Sequence, residues 1–298
     1  MDKVINLGIP HAGELIFESI DTPELFQCAL VSETWKLLAE NVLIKRWKGK
    51  MSEACQNGET KVVQLLLERC TSEESGLNIK DERGMTVLTI ACLNGHTDIV
   101  NLLLNHSERM QLNVKDYFER TAFMWACLKG HKDVVQLLLD HSERIKMNEK
   151  DERGVTAFLG ACGNGHKDVV KLLLDHSKIL ASRRRRRRIA SSKIIKLNAR
   201  NIFGWTALME ACSSGHKGVV KLLLGHSEKI EVNARNYDGK TAFMQACFYG
   251  HKDVVKMLLD YSDIDLNVRD NTGSTALMIS RRWERCKDIV KLLQEYSG

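Results

Sequence analysis

Proline is nearly absent. The 298-residue sequence has two, Pro10 and Pro23, both within the first fifty residues. The long remainder is free of the fixed φ and missing N–H that break helices, and the change of composition marks a boundary near residue 50. Long apolar runs are absent as well. No stretch reaches membrane-spanning length, and the opening Met1-Asp-Lys-Val-Ile-Asn-Leu-Gly lacks the apolar core of a signal peptide. The expected location is intracellular: cytoplasm and, if a basic run described below acts in import, nucleus. Catalytic signatures are missing too. There is no Gly-x-Ser-x-Gly, His-Glu-x-x-His or Gly-x-x-x-x-Gly-Lys pattern, and Gly160, Gly163 and Gly165 stand in the wrong order for a dinucleotide loop. Neither an enzyme nor a cofactor is expected. Aromatic residues make up only 6% of the chain, so where they gather they carry information.

What is present is repetition. The stretch from Asn201 to Arg235 recurs, altered, along most of the sequence. Within it Asn201 to Gly204 read as a tight turn with Gly204 at a positive φ, and Thr206 as a helix N-cap. Leu208 and small Ala211 share a face of a first helix that Gly215 ends. Val219, Val220, Leu222, Leu223 and Leu224 form the apolar run of a second. Full copies span 81–115, 116–150, 151–200, 201–235 and 236–269, with a degenerate unit at 51–80 and a truncated one at 270–298. One such unit cannot bury its own apolar faces, so neighbours must stack.

Nine cysteines are present, and Cys55, Cys92, Cys127, Cys162, Cys212 and Cys247 occupy one equivalent position. Stacked helices lie roughly 8–10 Å apart, too far for a disulfide, which fits a reducing compartment. Cys-x-x-x-His pairs such as Cys247 and His251 give two ligands per layer where zinc takes about four, so no metal is expected. The recurring His96, His131, His166, His216 and His251 read as framework residues. Net charge is +6, and its source is local: Arg183, Arg184, Arg185, Arg186, Arg187 and Arg188 are consecutive, and without those six there are 38 basic and 38 acidic residues. The array as a whole is therefore no general polyanion binder, and nucleic acid is not its expected partner. The run sits in an insertion near 181–195 that lengthens the fourth unit to 50 residues, as a solvated loop or an extension of the second helix. It reads as a plain charged segment, a nuclear-import signal, or an acidic or nucleic-acid contact; Arg188 also stands three before Ser191, as in a basophilic kinase site.

The Gly-x-Thr-Ala-Leu opening, the Ala-Cys-x-x-Gly-His centre and the Val-Val-Lys-Leu-Leu-Leu helix resemble ankyrin repeats. In place of the usual His two positions after the capping Thr's neighbour stand Thr89, Met124, Leu159, Met209, Met244 and Met278, adaptable fillers for the most part. Glu119 replaces the turn glycine of the third unit, which should strain that turn or change its type. The resemblance implies an all-α solenoid of helix-turn-helix units with short β-turn fingers, over 51–298. It also implies a binding protein, with partners met at the turn tips and the exposed end of the first helix. Those positions hold Tyr117, Phe118, Arg120, Phe203, Trp205, Tyr237, Phe248, Tyr249, Arg282 and Trp283. Aromatics and arginine are what interface hot spots use.

Residues 1–50 carry no repeat. Ile9-Pro10, Leu15 to Ile20, the Asp21-Thr22-Pro23 helix start, Ser32, Trp35, Leu38 and Leu43 to Trp47 read as three short helices with a marginal core. Ile9-Pro10, Ile16-Phe17-x-x-Ile20, Glu24-Leu25, Val31-Ser32-x-x-Trp35-x-x-Leu38-Ala39 and the closing Leu43 to Trp47 resemble an F-box; a plain helical cap on the array accommodates the same residues. The resemblance implies a small three-helix F-box-like domain binding a Skp-type adaptor, with Pro10, Ile16, Leu25, Val31 and Trp35 in the adaptor-binding or core set. The expected function is then substrate recognition for an SCF-type cullin–RING ubiquitin ligase, with a protein substrate on the repeats. The alternatives are an ankyrin scaffold or protein-binding module outside any ligase and a nucleic-acid binder acting through its basic loop.

Overall fold

The computed structural model describes residues 49–69, 76–106, 108, 110–184, 194–226 and 228–297. The F-box-like segment, with Pro10, Ile16, Leu25, Val31 and Trp35, lies outside the described residues, as do Arg185, Arg186, Arg187 and Arg188. Among the described residues there are helices and turns and no strand. Helix α1 runs through 49–57 and pairs in sequence with α2 (Thr60–Arg69). Six further pairs follow: α3 (Val87–Asn94) and α4 (Thr97–Asn105), α5 (Ala122–Lys129) and α6 (Lys132–Asp140), α7 (Ala157–Gly163) and α8 (Lys167–Arg184), α9 (Ala207–Ser213) and α10 (Lys217–Leu224), α11 (Ala242–Tyr249) and α12 (Lys252–Leu259), and α13 (Ala276–Arg281) and α14 (Lys287–Ser297). No helix among the described residues is long and apolar enough to cross a membrane.

Each pair is punctuated by the same chemistry. Thr86, Thr121, Thr156, Thr206, Thr241 and Thr275 are N-caps whose hydroxyls accept the N–H three residues on, satisfying one of the donors a helix start leaves open. In every pair but the last the first helix ends at a left-handed glycine, among them Gly130 at φ +79° and Gly165 at +77°. Glycine is required there twice over. Besides the backbone conformation, the imidazole of the next layer lies against it: a Cβ on Gly165 would stand 2.5 Å from His216 Nδ1.

First helices pack on first helices and second on second, layer after layer. Ala91, Ala126, Ala161, Ala211 and Ala246 are fully buried, and their small side chains set the close approach. Phe123, Phe158 and Phe243 fill the space beside them, and Val134, Val135, Leu138 and Leu139 of α6, with their equivalents, close the layer from the second helix. Each buried aliphatic side chain of this kind stabilises by about 1.5–3 kcal/mol, and nearly all of that is realised only between layers. The filler positions follow the expectation at Thr89, Met124, Leu159, Met209 and Met244, which are buried. Met278 departs from it at 46% exposure, where no further layer is described beyond it.

Two local departures are resolved. The inserted fourth unit extends its second helix: α8 has 18 residues against 8 in α10. It is anchored by buried Leu180 on the outgoing side and Ile195 on the return, while Arg183 and Arg184 end the helix. The third turn keeps its type and takes the strain. Glu119 adopts φ +62° and is the non-glycine residue with positive φ among those described.

Candidate partner-binding surface

The surface is built on the fingers that join one layer to the next. Each opens with Asp or Asn whose side-chain oxygen accepts two backbone N–H groups of its own turn. Asp116 takes those of Phe118 and Arg120, Asp151 those of Arg153 and Val155, Asn201 those of Phe203 and Trp205, and Asn236 those of Asp238 and Lys240. These short side chains compete well for nearby backbone donors, and here the competition fixes the finger. Neighbouring fingers are then tied backbone to backbone: Tyr117 N donates to Arg83 O, Glu152 N to Phe118 O, Ile202 N to Arg153 O and Tyr237 N to Phe203 O.

Three side-chain ladders hold the fingers in register. Lys80, Lys115, Lys150, Arg200 and Arg235 each donate to the carbonyl of the equivalent residue one layer on. Asn113, Asn148, Asn198 and Asn233 donate through the amide nitrogen and accept through the oxygen across the same seams. The histidines form the third: Nε2 of His96, His131, His166, His216 and His251 donates to the preceding layer's carbonyl, at 2.8–3.1 Å. They are framework residues, as expected. In the last layer Arg285 takes over, donating to Phe248 O at 2.9 Å, and Cys286 stands buried beside it. The seven described cysteines from Cys55 to Cys286 are free thiols. Burial pushes the Cys55 and Cys247 thiols up to about 12. No group of three or more His, Cys, Asp or Glu suited to a metal occurs among the described residues.

On this frame Tyr117 and Tyr237 project at 67% exposure, Phe203 at 58% and Phe118 at 47%. Tyr117 and Tyr237 lie across Gly84 and Gly204 of the preceding fingers, where a Cβ would meet each ring at 2.8 Å. Trp205 is half-buried and packs on the core. Arg120 is engaged by the array itself. Its Nε contacts buried Asp151 at 3.1 Å, and its guanidinium lies over Phe118 and over Trp125. Towards the C-terminal end the ring of Phe248 is half-buried and meets Tyr249 and Trp283 edge-on, with centroids 5.0 and 5.8 Å away. Tyr249 and Trp283 are each 44% exposed. Lys240 and Arg285 stand over Phe248, and Arg285 also over Trp283. Arg282 is exposed and donates to Ser274 Oγ at 3.1 Å.

Four residues of this surface escaped the sequence reading. Ile202, 52% exposed, holds the finger position of Tyr117 and Tyr237, so aligning the units by position rather than by aromatic content finds it. Lys240 and Arg285 become part of the surface only through the rings they cover. Trp125 donates to Asp116 Oδ2 at 2.7 Å from the first-helix position that Glu210 holds two layers on. There Asn201 donates to Glu210 at 3.0 Å, and burial raises the Glu210 carboxyl above its ordinary range.

The family described as "Ankyrin repeats (3 copies)" matches residues 51–151, 143–236, 186–270 and 226–298. The chain belongs to the ankyrin-repeat family. Its fold is similar to the crystal structure of the ankyrin repeat domain of Bcl-3, described as a unique member of the IkappaB protein family. The two are 24% identical with a TM-score of 0.63, over 81% of this chain and 97% of that one. It is similar also to the human ASB11 ankyrin repeat domain, at 19% identity and a TM-score of 0.65, over 83% and 97%. No curated protein matches the sequence. Ankyrin repeats make the array a protein-interaction module.

Proposed function

We propose that this chain is an adaptor that captures a protein through the fingers and first-helix ends of its ankyrin array, and delivers it as the substrate-recognition subunit of an SCF-type cullin–RING ubiquitin ligase. The observation that carries the capture is the exposed aromatic surface: Tyr117, Phe118, Phe203 and Tyr237 on three of four successive fingers, and Tyr249 and Trp283 beside Phe248 and its cations. A chain with so few aromatics that holds several of them against water on a ladder-braced frame has them pre-organised for a partner. Ile202 joins Phe203, Tyr237, Tyr249, Trp283 and Arg282 in the contact set; Trp205 and Phe248 support it from below.

The ligase half of the proposal rests on the F-box resemblance of residues 1–50, with Pro10, Ile16, Leu25, Val31 and Trp35 meeting the Skp-type adaptor. Ubiquitin transfer would be the work of the partners, since the reading assigns no catalytic group to this chain. The test is co-purification of adaptor and cullin with the full chain and with a chain lacking 1–50. Loss of both on truncation, with the repeats' melting unchanged, supports the link; retention of either removes it and leaves the ankyrin scaffold.

A further inference from the structure

A second surface lies on the outer helices, away from the fingers, and is independent of the reading above. Those helices repeat a pair of aspartates seven residues apart: Asp133 and Asp140 in α6, Asp168 and Asp175 in α8, and Asp253 in α12 with Asp260 at its C-cap. The same two positions are Gly218 in α10 and Gly225 at its C-cap. At a rise of 1.5 Å per residue they lie about 10 Å apart on one helix face, with Lys221 between them. Only the acids are lost; Lys217 and Lys221 remain.

What the acids do is visible in the last layers. Asp288 of α14 receives Lys252 Nζ at 2.9 Å, and Asp260 at the C-cap of α12 receives Tyr296 Oη at 2.8 Å. The equivalent donors around α10 are Lys167 and Tyr261, and the positions of their acidic acceptors are held by Gly218 and Gly225. The Lys167 stem lies across Gly218, its Cδ 3.3 Å from where a Cβ would stand. Neither Lys167, Lys217 nor Lys221 makes an ion pair among the described residues. Between α10 and α12 this leaves a groove of about 580 Å³, with Lys217 and Lys221 on one side, Met257 and Tyr261 on the other and Leu224 in its floor. The acid on its wall, Asp260, is the one engaged by Tyr296.

We infer that this groove takes an acidic peptide segment of a protein partner, whose carboxylates stand where α10 lacks its two aspartates. Charge complementarity selects the acid, and the apolar floor selects a segment with side chains between its acids over a small free anion. In an extended segment, residues three apart span about 10 Å, which matches the two glycine positions.

The test is lysine acetylation footprinting of the full chain, read residue by residue by mass spectrometry, with a hexaglutamate peptide as probe. Lys217 and Lys221 should be protected in a saturable manner, while Lys132 and Lys252 are not. The Arg183 to Arg188 run does not confuse this readout, because protection is scored at the groove. The variant Gly218→Asp/Gly225→Asp restores residues that neighbouring outer helices carry and should melt no lower than the native chain. In it the peptide concentration for half-protection should rise about tenfold or more. No protection in the native chain, equal protection in the variant, or equal protection by inorganic phosphate at matched charge would each overturn the inference.

Discussion

Glu119 holds a left-handed backbone that costs a side-chain-bearing residue about 1–2 kcal/mol, and its return is an exposed pair with Lys115 at 3.1 Å. Glu119→Gly should therefore raise stability by about 1 kcal/mol, read as a higher urea midpoint at unchanged slope; a lower midpoint would mean that the ion pair outweighs the strain. The sequence showed where a glycine was missing. It did not show whether the turn would change type, because that depended on the two N–H groups that Asp116 holds. The cysteines make a second residue-scale case. Burial raises their folded pKa values, to about 12 at Cys55 and Cys247 against an ordinary 9.0. A raised acid pKa favours the folded state while the thiol is neutral in both states. That contribution falls away as pH rises above about 9, where the unfolded chain ionises first. Stability should decline there, and below that pH iodoacetamide should label these thiols only as the array unfolds. Fast labelling of Cys127 or Cys162 in the native protein would contradict their burial.

At the scale of the element, cap threonines, terminal glycines and apolar runs were legible because each is a local rule with one residue type behind it. The lysine–arginine and asparagine ladders were not. They join residues roughly one repeat apart, and nothing local marks a lysine that will donate to a carbonyl. Gly165 belongs to both classes, since its φ is local and its contact with His216 is not. Gly165→Ala should cost about 2 kcal/mol or more, a loss visible as a lower melting temperature and a low-stability zone in hydrogen exchange centred on α7 and α9. A cost near zero would show that the seam relaxes. The extended α8 gives the opposite expectation. Replacing Arg183 to Arg188 with Gly and Ser should leave the melting temperature nearly unchanged, because the anchor is Leu180 and Ile195 and a run of like charges adds little packing.

For the whole molecule, a quasi-one-dimensional array separates folding from binding by depth. Phe243 is buried within its layer while Tyr237 stands 67% exposed on the adjoining finger. The sequence marks both as aromatics near a capping threonine, and position within the unit tells them apart. It could not do so for Trp205 and Phe248, which are half-buried against the core. Phe243→Ala should cost about 3–5 kcal/mol of stability, whereas truncating a finger aromatic should leave stability within about 0.5 kcal/mol. The most direct test of the account is therefore one paired measurement on the triple variant Phe203→Ala/Tyr237→Ala/Tyr249→Ala: quantitative capture of the proteins that the native array retains, alongside a melting curve. The account predicts an unchanged melting temperature with partner affinity reduced by about thirtyfold or more, the loss of at least one hot spot. Undiminished capture by a normally folded variant would place the recognition surface elsewhere on the array.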